Sequence, residues 1–278
     1  MAITETGAAE LSRENYIFLQ QHVYKSSGIV LDDNKLYLLE ARLLPIARTE
    51  NVSTLNDLCA LLRATGSGRI LQAVRDAMTT NETLFFRDAV PFKVMRQNLI
   101  PELLSERNGS RRLVFWSAAA SSGQEAYSLA MMLLDMGMES RDIEIVATDI
   151  SDRVLDQARA GRYTQAEVGR GLPAQQLVKY FRRDHAEWQI KDEVRRLVRF
   201  QSFDLRSPMA SLGTFDFILC RNVLIYFDIE TKKRILQSLE YVMNPRAFLL
   251  LGGAETTLNL TDAFERRAFD AAYFYQKR

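Results

Sequence analysis

The stretch LVFWSAAASSGQEAYSLAM, residues 113–131, decides the fold class of this chain. Four apolar residues are followed by a run of alanine and serine, one glycine, and then apolar residues at helical spacing. This order of strand, small-residue loop and helix is typical of a crossover unit in a parallel sheet. Because Gly123 is the only glycine, the stretch lacks the GxGxxG fingerprint, so a nicotinamide-type pyrophosphate site is weakly supported.

Short apolar runs and helical stretches alternate after residue 110, which predicts an α/β fold with a mostly parallel sheet. The predicted core strands are Leu113–Trp116, Ile143–Thr148, Val198–Phe203, Phe215–Cys220 and Phe248–Leu251. The predicted helices that flank them are Glu125–Met136, Asp152–Ala160 and Ile229–Met243. The C-terminal pair Phe264–Phe269 and Ala272–Tyr275 predicts an antiparallel hairpin that closes the sheet.

The first 78 residues show helical patterns only. Ser12 is the predicted N-cap of the first helix, which ends at Gly28. A second helix is predicted from Asp33 to Arg48, with Pro45 expected to kink it or end it early. Ser53 is the predicted cap of a third helix, and a fourth follows the TGSG turn at residues 65–68.

This pattern predicts an all-α domain at residues 1–78, a linker at 79–90 that contributes to the active site, and a sheet domain at 91–278. An inserted subdomain is expected at about 161–197, because this interval is too long for one crossover helix. Between Ala160 and Phe200, nine Lys and Arg stand against five Asp and Glu. The excess indicates either a solvated surface or a docking surface for an acidic partner.

Composition excludes several function classes. The chain has 36 Lys and Arg against 35 Asp and Glu, a net charge of +1, which argues against general nucleic-acid coating. Its two cysteines and two histidines, Cys59, Cys220, His22 and His185, form no metal-ligand spacing or Ser/His/Asp pattern, so we expect no metal. No secretory signal or apolar run of about 20 residues is present, and we expect a cytoplasmic protein.

Carboxylates follow three of the predicted strands. Glu125, in the first turn of a helix, favours a cationic ligand group such as an ammonium, although the helix dipole alone also accounts for it. Asp149 lies at the carboxyl end of a strand, where it could accept both hydroxyls of a ribose or, alternatively, cap the following helix. Asp204 ends the next strand and could accept from an adenine amino group.

Two further stretches carry polar residues without a packing reason. Arg221 and Asn222 follow the strand Phe215–Cys220; the alternative is that Asn222 caps a turn and Arg221 pairs with a carboxylate. In MTTNETLFFRD, residues 78–88, polar residues alternate with aromatic ones at the predicted domain junction, a common place for a ligand. The polar candidates in that stretch are Asn81, Thr83 and Arg87.

Four stretches together resemble the signatures of the chemotaxis receptor glutamate methyltransferases, the CheR family, in the family's order and spacing. They are TTNETLFFRD (79–88), WSAAASSGQEAYSLAM (116–131), ATDIS (147–151) and CRNVLIYFD (220–228). The resemblance implies a class I S-adenosylmethionine-dependent methyltransferase, with a Rossmann-like, mostly parallel sheet and an antiparallel C-terminal strand. It also implies an all-α N-terminal domain and a small β-subdomain insert. The implied reaction is methyl transfer from S-adenosylmethionine to receptor glutamates, which leaves S-adenosylhomocysteine.

The resemblance also implies residue roles. Glu125 would hold the cofactor ammonium and Asp149 the ribose hydroxyls. The other residues expected to touch the cofactor are Asn81, Thr83, Arg87, Asp204, Leu205, Arg221 and Asn222. Arg87 would orient the incoming carboxylate, and Tyr226 would pack against the cofactor or polarise the reacting oxygen.

The chain departs from the family pattern in three places. Asp204 stands where many relatives have Asn, and GGAE at 252–255 replaces a more usual GHSE-like stretch. The insert from Arg182 to Leu197 is short beside those relatives that dock a tethered receptor pentapeptide, so we expect no such tether. Receptor recognition is then expected to be electrostatic, through the basic insert and through Lys35 and Arg42, seven residues apart on one helix.

The chemistry requires no general base, because a glutamate side chain with a pKa near ~4.3 is already ionised at neutral pH. Two alternatives stay open. One is a non-catalytic S-adenosylmethionine-binding scaffold on receptor arrays. The other is a methyltransferase of another protein or of RNA, although eight Lys and Arg against nine Asp and Glu up to Met78 give no basic footprint.

Overall fold

A computed structural model describes residues 11–32, 35–106, 112–269 and 272–278. The chain divides into two compact units. The first extends to Thr80 and includes Tyr226–Asp228; the second comprises Asn81–Ile225 and Ile229–Arg278.

The first unit contains helices α1 (Arg13–Ser27), α2 (Leu36–Thr49), α3 (Leu55–Thr65) and α4 (Gly68–Met78). As predicted, Ser12 caps α1 by accepting the Asn15 amide, and Gly28 ends it in the left-handed conformation at φ 77°. Leu19, Val23, Leu39 and Leu43 are among the buried side chains that form the core of this unit.

In this unit the predicted cap of α3 is wrong, and of the two outcomes expected at Pro45 the early end of α2 does not occur. Pro45 does not end α2, which continues to Thr49, because the buried stripe of Leu39, Leu43 and Ala47 extends past the proline and outweighs one lost backbone bond. The cap of α3 is Thr54 instead of Ser53, since Thr54 and Asp57 form a reciprocal capping box. The predicted start of α2 at Asp33 lies outside the described residues.

The second unit begins with a helical segment that sequence analysis did not predict: α5 (Ala89–Val94), a π-helical turn (Met95–Leu99) and α6 (Ile100–Glu106). Its remaining elements are, in chain order, β1 (Leu113–Ala118), α7 (Gln124–Asp135), β2 (Ile143–Asp149), α8 (Asp152–Ala160), β3 (Arg162–Thr164), α9 (Gln165–Val168), α10 (Ala174–Tyr180), β4 (Phe181–Asp184), β5 (Glu187–Ile190), α11 (Asp192–Arg195), β6 (Val198–Ser202), β7 (Phe215–Cys220), α12 (Ile229–Tyr241), β8 (Met243–Leu251), β9 (Phe264–Phe269) and β10 (Ala272–Lys277).

Seven strands form one sheet in the order β6-β2-β1-β7-β8-β10-β9. The first five are parallel, and β10 is antiparallel to β8 and β9. The chain builds outward from β1 to β2 and β6, then returns to place β7 on the other side of β1. This reversal opens a crevice at the carboxyl ends of β1 and β7, where ligands bind in open α/β sheets.

The central strands are buried on both faces, as parallel strands covered by helices are. Phe115 of β1 stacks on Phe217 of β7, and Phe217 in turn contacts Phe248 of β8. These strands therefore form a packed core from which the loops at their carboxyl ends extend.

The insert is a separate three-stranded antiparallel sheet in the order β3-β5-β4. The predicted fold is thereby confirmed: an all-α part, a Rossmann-like sheet with antiparallel C-terminal strands, and a small β-subdomain. In the described parts of the chain, no helix combines the length and the apolar character that crossing a bilayer requires.

Candidate active site

The loop after β1 turns sharply over the carboxyl edge of the sheet. Ala119, Ser121 and Gly123 have φ angles of 62°, 50° and 93°, which small side chains tolerate best. A Cβ on Gly123 would lie 3.0 Å from Cβ of Ala158 and 3.1 Å from the Phe200 ring. A side chain at position 123 would therefore be both crowded and strained, and glycine lets the loop pass directly into α7.

Asp149, the last residue of β2, is buried beside this loop. Its Oδ2 accepts from the Ser121 amide at 2.9 Å and its Oδ1 from the Ser151 amide at 3.0 Å. Asp149 is not the N-cap residue of α8; that residue is Ser151, and its side chain makes no capping hydrogen bond. Both oxygens of the Asp149 carboxylate therefore accept from backbone amides of the loops at this edge of the sheet.

Glu125 in the first turn of α7 is part of a buried charge cluster. Its Oε1 accepts from the Ser117 hydroxyl at 2.8 Å, and its Oε2 lies 3.1 Å from an Arg221 guanidinium nitrogen. Arg221 also lies 2.6 Å from Oδ2 of Asp88 and donates to the Arg87 carbonyl. The alternative interpretation of Arg221, that it pairs with a carboxylate, therefore holds.

The net charge of this cluster matters for ligand binding. One guanidinium faces two carboxylates, Glu125 and Asp88, so the three groups together carry one negative charge. The Arg221 side chain is 2% exposed, and its Nε has no hydrogen-bond partner among the described residues. Glu125 and Arg221 are buried, whereas Asp88 is 60% exposed. A negative excess beside the buried Glu125 carboxylate favours a cation such as an ammonium.

The segment that precedes α5 lies against the same loop. The Asn81 carbonyl accepts from the Ser121 hydroxyl at 2.8 Å, and the Phe86 amide donates to the Ser128 hydroxyl at 2.9 Å. Phe85 is fully buried and packs edge-on against Tyr163 and Phe181. These contacts hold the segment that carries the predicted site residues Thr83 and Arg87, both of which are half-buried.

Asp204 follows β6 and its carboxylate is engaged by Arg206. The Arg206 backbone amide donates to Oδ1 at 2.9 Å, and its guanidinium lies 2.6 Å from Oδ2. An adenine amino group would therefore share this carboxylate with Arg206. Leu205 is buried, and the loop is tied to Asp149 by the bond from the Phe203 amide to the Asp149 carbonyl.

Tyr226 is outside the compact unit that contains these residues. It belongs to the first unit, where its carbonyl accepts from the Val30 amide at 2.9 Å and its ring packs on the helical core. Its proposed contact with the cofactor stays a prediction.

Most of the basic residues expected to dock the receptor form hydrogen bonds or ion pairs within the protein. Arg42 donates to the carbonyls of Met78 and Thr79 at the end of α4, and Lys35 pairs with Asp32 at 3.3 Å. In the insert, ion pairs join Arg162 to Asp184, Lys179 to Asp135, Arg195 to Asp192 and Arg170 to Glu82. The excess of nine Lys and Arg over five Asp and Glu therefore overstates the positive charge that the insert can offer to a partner.

Sequence reasoning missed Asp88, Arg206 and Glu255. Asp88 ends the quoted stretch TTNETLFFRD, so its proximity to Arg87 was the available signal. Glu255 accepts four backbone amides from two loops, and the GGAE stretch that contains it was the corresponding signal. Asp88 and Glu255 contact residues distant in sequence, whereas Arg206 pairs with Asp204 only two positions away.

Metal-ligating groups do not assemble: in the portion of the chain that the structure describes, no three His, Cys, Asp or Glu residues are arranged to hold a metal ion. Cys59 and Cys220 are free and buried. Burial raises the pKa of the Cys220 thiol, and the nearby Glu255 and Glu125 carboxylates add to the effect.

The matches to family models assign the chain to the S-adenosylmethionine-dependent methyltransferases. Residues 14–79 match the family model for the all-alpha domain of CheR methyltransferase, and residues 81–272 match that for its SAM-binding domain. The chain belongs to the CheR family of chemotaxis protein methyltransferases, and the resemblance stated from the four signature stretches is confirmed.

Curated relatives agree along nearly the whole chain. Identity is 42% to chemotaxis protein methyltransferase 1 of Pseudomonas aeruginosa, over 87% of this chain and 89% of that protein. It is 38% to chemotaxis protein methyltransferase Cher2 of Pseudomonas putida, over 96% and 100%, respectively. It is 41% to chemotaxis protein methyltransferase 1 of Vibrio cholerae, over 93% and 94%.

Proposed function

We propose that this chain transfers the methyl group of S-adenosylmethionine to glutamate side chains of chemotaxis receptors and forms methyl esters. The observation that carries this proposal is the pair of buried carboxylates, Glu125 and Asp149, which lie at neighbouring strand ends in a chain of the CheR family. They match the two ends of the cofactor that need acceptors, a cationic amino acid group and a ribose diol.

The proposed cofactor contacts follow from these positions. Glu125, in a cluster with one excess negative charge, binds the ammonium, and Asp149 accepts the ribose hydroxyls. Asp204 and Leu205 border the adenine, with Arg206 sharing the Asp204 carboxylate. The remaining contacts of the proposed set come from Asn81, Thr83, Arg87, Arg221 and Asn222. None of these groups calls for a metal.

S-adenosylmethionine supplies an electrophilic methyl group on a sulfonium. The substrate carboxylate is an anion at neutral pH, so this chain has no proton to remove before attack. Its work is to orient the carboxylate and to exclude water, effects that reach roughly 7 to 11 kcal/mol in favourable geometry. We assign orientation to the two-pronged guanidinium of Arg87 and a supporting role to Tyr226.

Arg87 suits this role because little in the described structure fixes its charge. Its guanidinium donates only a long 3.4 Å bond to the Glu82 carbonyl, while its own carbonyl is held by Arg221. The backbone of Arg87 is therefore anchored to the charge cluster, and its guanidinium keeps donors for an incoming carboxylate.

The substrate is proposed to be the receptor cytoplasmic helices, engaged in the cytoplasm without a C-terminal pentapeptide tether. The short strands β4 and β5, of four residues each, and the exposed Arg182 support this mode of docking. A non-catalytic scaffold or a methyltransferase of another target is then an outcome of the test below.

The test incubates methyl-labelled S-adenosylmethionine with the protein and receptor-containing membranes, and then measures base-labile label on the receptor. We expect labelled methyl ester with the wild type and none with Arg87→Ala. Arg96→Ala, an exposed arginine nearby in the chain, is the matched control and should retain full transfer. Absence of label with the wild type supports the scaffold, and label on other proteins or on RNA redirects the assignment.

A further inference from the structure

One carboxylate binds four backbone amides at the carboxyl edge of the sheet. Oε2 of Glu255 accepts from the amides of Asn222 at 2.8 Å and Gly252 at 2.7 Å. Oε1 accepts from the amides of Val223 at 2.9 Å and Ile225 at 3.3 Å. An ionised carboxylate has about four acceptor positions, so these amides use the capacity of Glu255.

Three of these amides belong to the loop after β7 and one to the turn after β8. The two strands are parallel neighbours, so their carboxyl ends meet at the same edge of the sheet as Asp149. Glu255 therefore joins two loops that are otherwise connected only through the strands below them.

The loop after β7 turns sharply at its start. Asn222 has a φ of 58°, in the left-handed region that asparagine adopts more readily than most residues with a Cβ. Its predecessor, Arg221, directs its guanidinium to Glu125 and Asp88. The carboxylate of Glu255 thus fixes the residues that come directly after the buried charge cluster.

Gly252 leaves the space in which the carboxylate reaches the loop. A Cβ at Gly252 would lie 2.7 Å from Oε2 of Glu255 and 2.8 Å from the Asn222 amide nitrogen. No heavy atom lies within 4 Å of the corresponding position at Gly253. A methyl group would therefore clash at Gly252, which is buried and donates to Glu255, but not at the exposed Gly253.

We propose that Glu255 is a positioning residue for methyl transfer: it holds the Asn222–Ile225 loop so that Asn222 meets the cofactor in the reactive geometry. This inference rests on the proposed function. Since the main cofactor acceptors, Glu125 and Asp149, come from other elements, loss of Glu255 affects turnover more than cofactor binding.

The first measurement is amide hydrogen exchange of the full chain without ligand, which does not depend on any activity. Protection of the amides of Asn222, Val223, Ile225 and Gly252 should fall in Glu255→Gln, which keeps only one acceptor oxygen, and in Gly252→Ala. Gly253→Ala should match the wild type. Unchanged protection in both Glu255→Gln and Gly252→Ala would overturn the anchoring.

The second measurement compares kcat on receptor membranes with the Kd for S-adenosylhomocysteine and the thermal midpoint. A misplaced loop should lower kcat roughly 10- to 100-fold in Glu255→Gln and Gly252→Ala, with a smaller change in Kd. Should Glu255→Gln fail to fold, the pair Gly252→Ala and Gly253→Ala still decides the question. Full kcat in a variant with unprotected amides, or equal losses at Gly252 and Gly253, would refute the positioning role.

These measurements separate the inference from the proposed function. If the wild type shows protected amides but methylates no receptor, the proposed function fails and the anchoring stands. If the wild type is active and the Glu255 and Gly252 variants are equally active, the positioning role fails and the proposed function stands.

Discussion

The carboxyl edge of the sheet and the inserted β-subdomain use charge in opposite ways. At the edge, Arg221 is 2% exposed and binds two carboxylates, whereas Arg162 of the insert is 37% exposed and pairs with Asp184 at the surface. A desolvated ion pair is costly to break because its remaining member stays buried and uncompensated; an exposed pair contributes little. The comparison teaches that the number of charges in a segment does not measure their contribution to stability or to binding.

The comparison is tested most strongly by truncating the arginine in each region. Arg221→Ala leaves Glu125 buried with no positive partner, and we expect the free energy of unfolding to fall by roughly 3 to 5 kcal/mol. Arg162→Ala, the control, should cost less than about 1 kcal/mol. Urea denaturation measures both variants, and similar losses would show that the two regions do not differ.

A second test addresses ligand binding at the edge. Asp149→Ala should weaken S-adenosylhomocysteine binding by roughly 1.5 to 3 kcal/mol for each of the two lost hydrogen bonds to a charged group. Asp156→Ala changes an aspartate that is 75% exposed on the adjacent α8 and should leave affinity unchanged. Calorimetry decides the matter: unaltered affinity of Asp149→Ala would remove this residue from the cofactor site.

The Asp135 carboxylate, which binds residues of the insert, is less exposed than the ion pairs at the surface of the insert. Burial raises the pKa of Asp135, but hydrogen bonds from Lys179, Tyr180 and Gln176 outweigh burial and hold that pKa below its usual value. A depressed pKa stabilises the fold at pH values above the unfolded pKa, and the contribution is lost as the pH falls through the folded pKa.

Asp135→Asn should therefore lower the free energy of unfolding at neutral pH by on the order of 1 kcal/mol. The difference from the wild type should shrink as the pH falls from the unfolded pKa, about 3.9, through the lower pKa of the folded carboxyl. Denaturation across a pH series measures this convergence, and parallel curves would contradict the assignment.

The smallest effect is expected from the exposed charges of the insert. Arg182→Glu should raise the KM for receptor by only a few fold, because exposed charge contacts contribute about 1 kcal/mol or less. Arg141→Glu, with the same charge change at the opposite edge of the sheet, is the control. Higher salt should raise the KM for receptor more than the Kd for cofactor, since exposed charges are screened over about 8 Å.

The same series can be run on a receptor trimmed at its C-terminus. Retained methylation is expected, because the docking proposed here needs no tether. Complete loss of methylation on trimming, or transfer that is insensitive to salt, would contradict electrostatic docking.

Much of the fold followed from local patterns. The strand Phe215–Cys220 and the helix Asp152–Ala160 have the predicted bounds, because each is a short periodic run between clear end signals. The helical segment from Ala89 to Glu106 was not predicted; Pro91 and Pro101 interrupt it, and a π-helical turn shifts its periodicity. At Pro45 the local sequence disfavours a helix, but the buried side chains of α2 stabilise it.

Sequence patterns identified several candidate residues of the site but not the contacts between them. Glu125, Asp149 and Arg221 were recognised because each polar residue comes where an apolar strand ends or a helix begins. Their partners were not, since Asp88 and Glu255 are distant in sequence from Arg221 and Asn222, which they contact in the folded chain.

The sequence by itself determined the class of protein, because strand, loop and helix signals are local and four signature stretches carry the family's residues in order. Tertiary structure alone decided which charges become partners. Arg221 lies 96 positions from Glu125 and 133 from Asp88, and a local pattern contains no information about contacts at such separations. They meet because β7 returns to the side of β1, and burial there makes each partner necessary to the others.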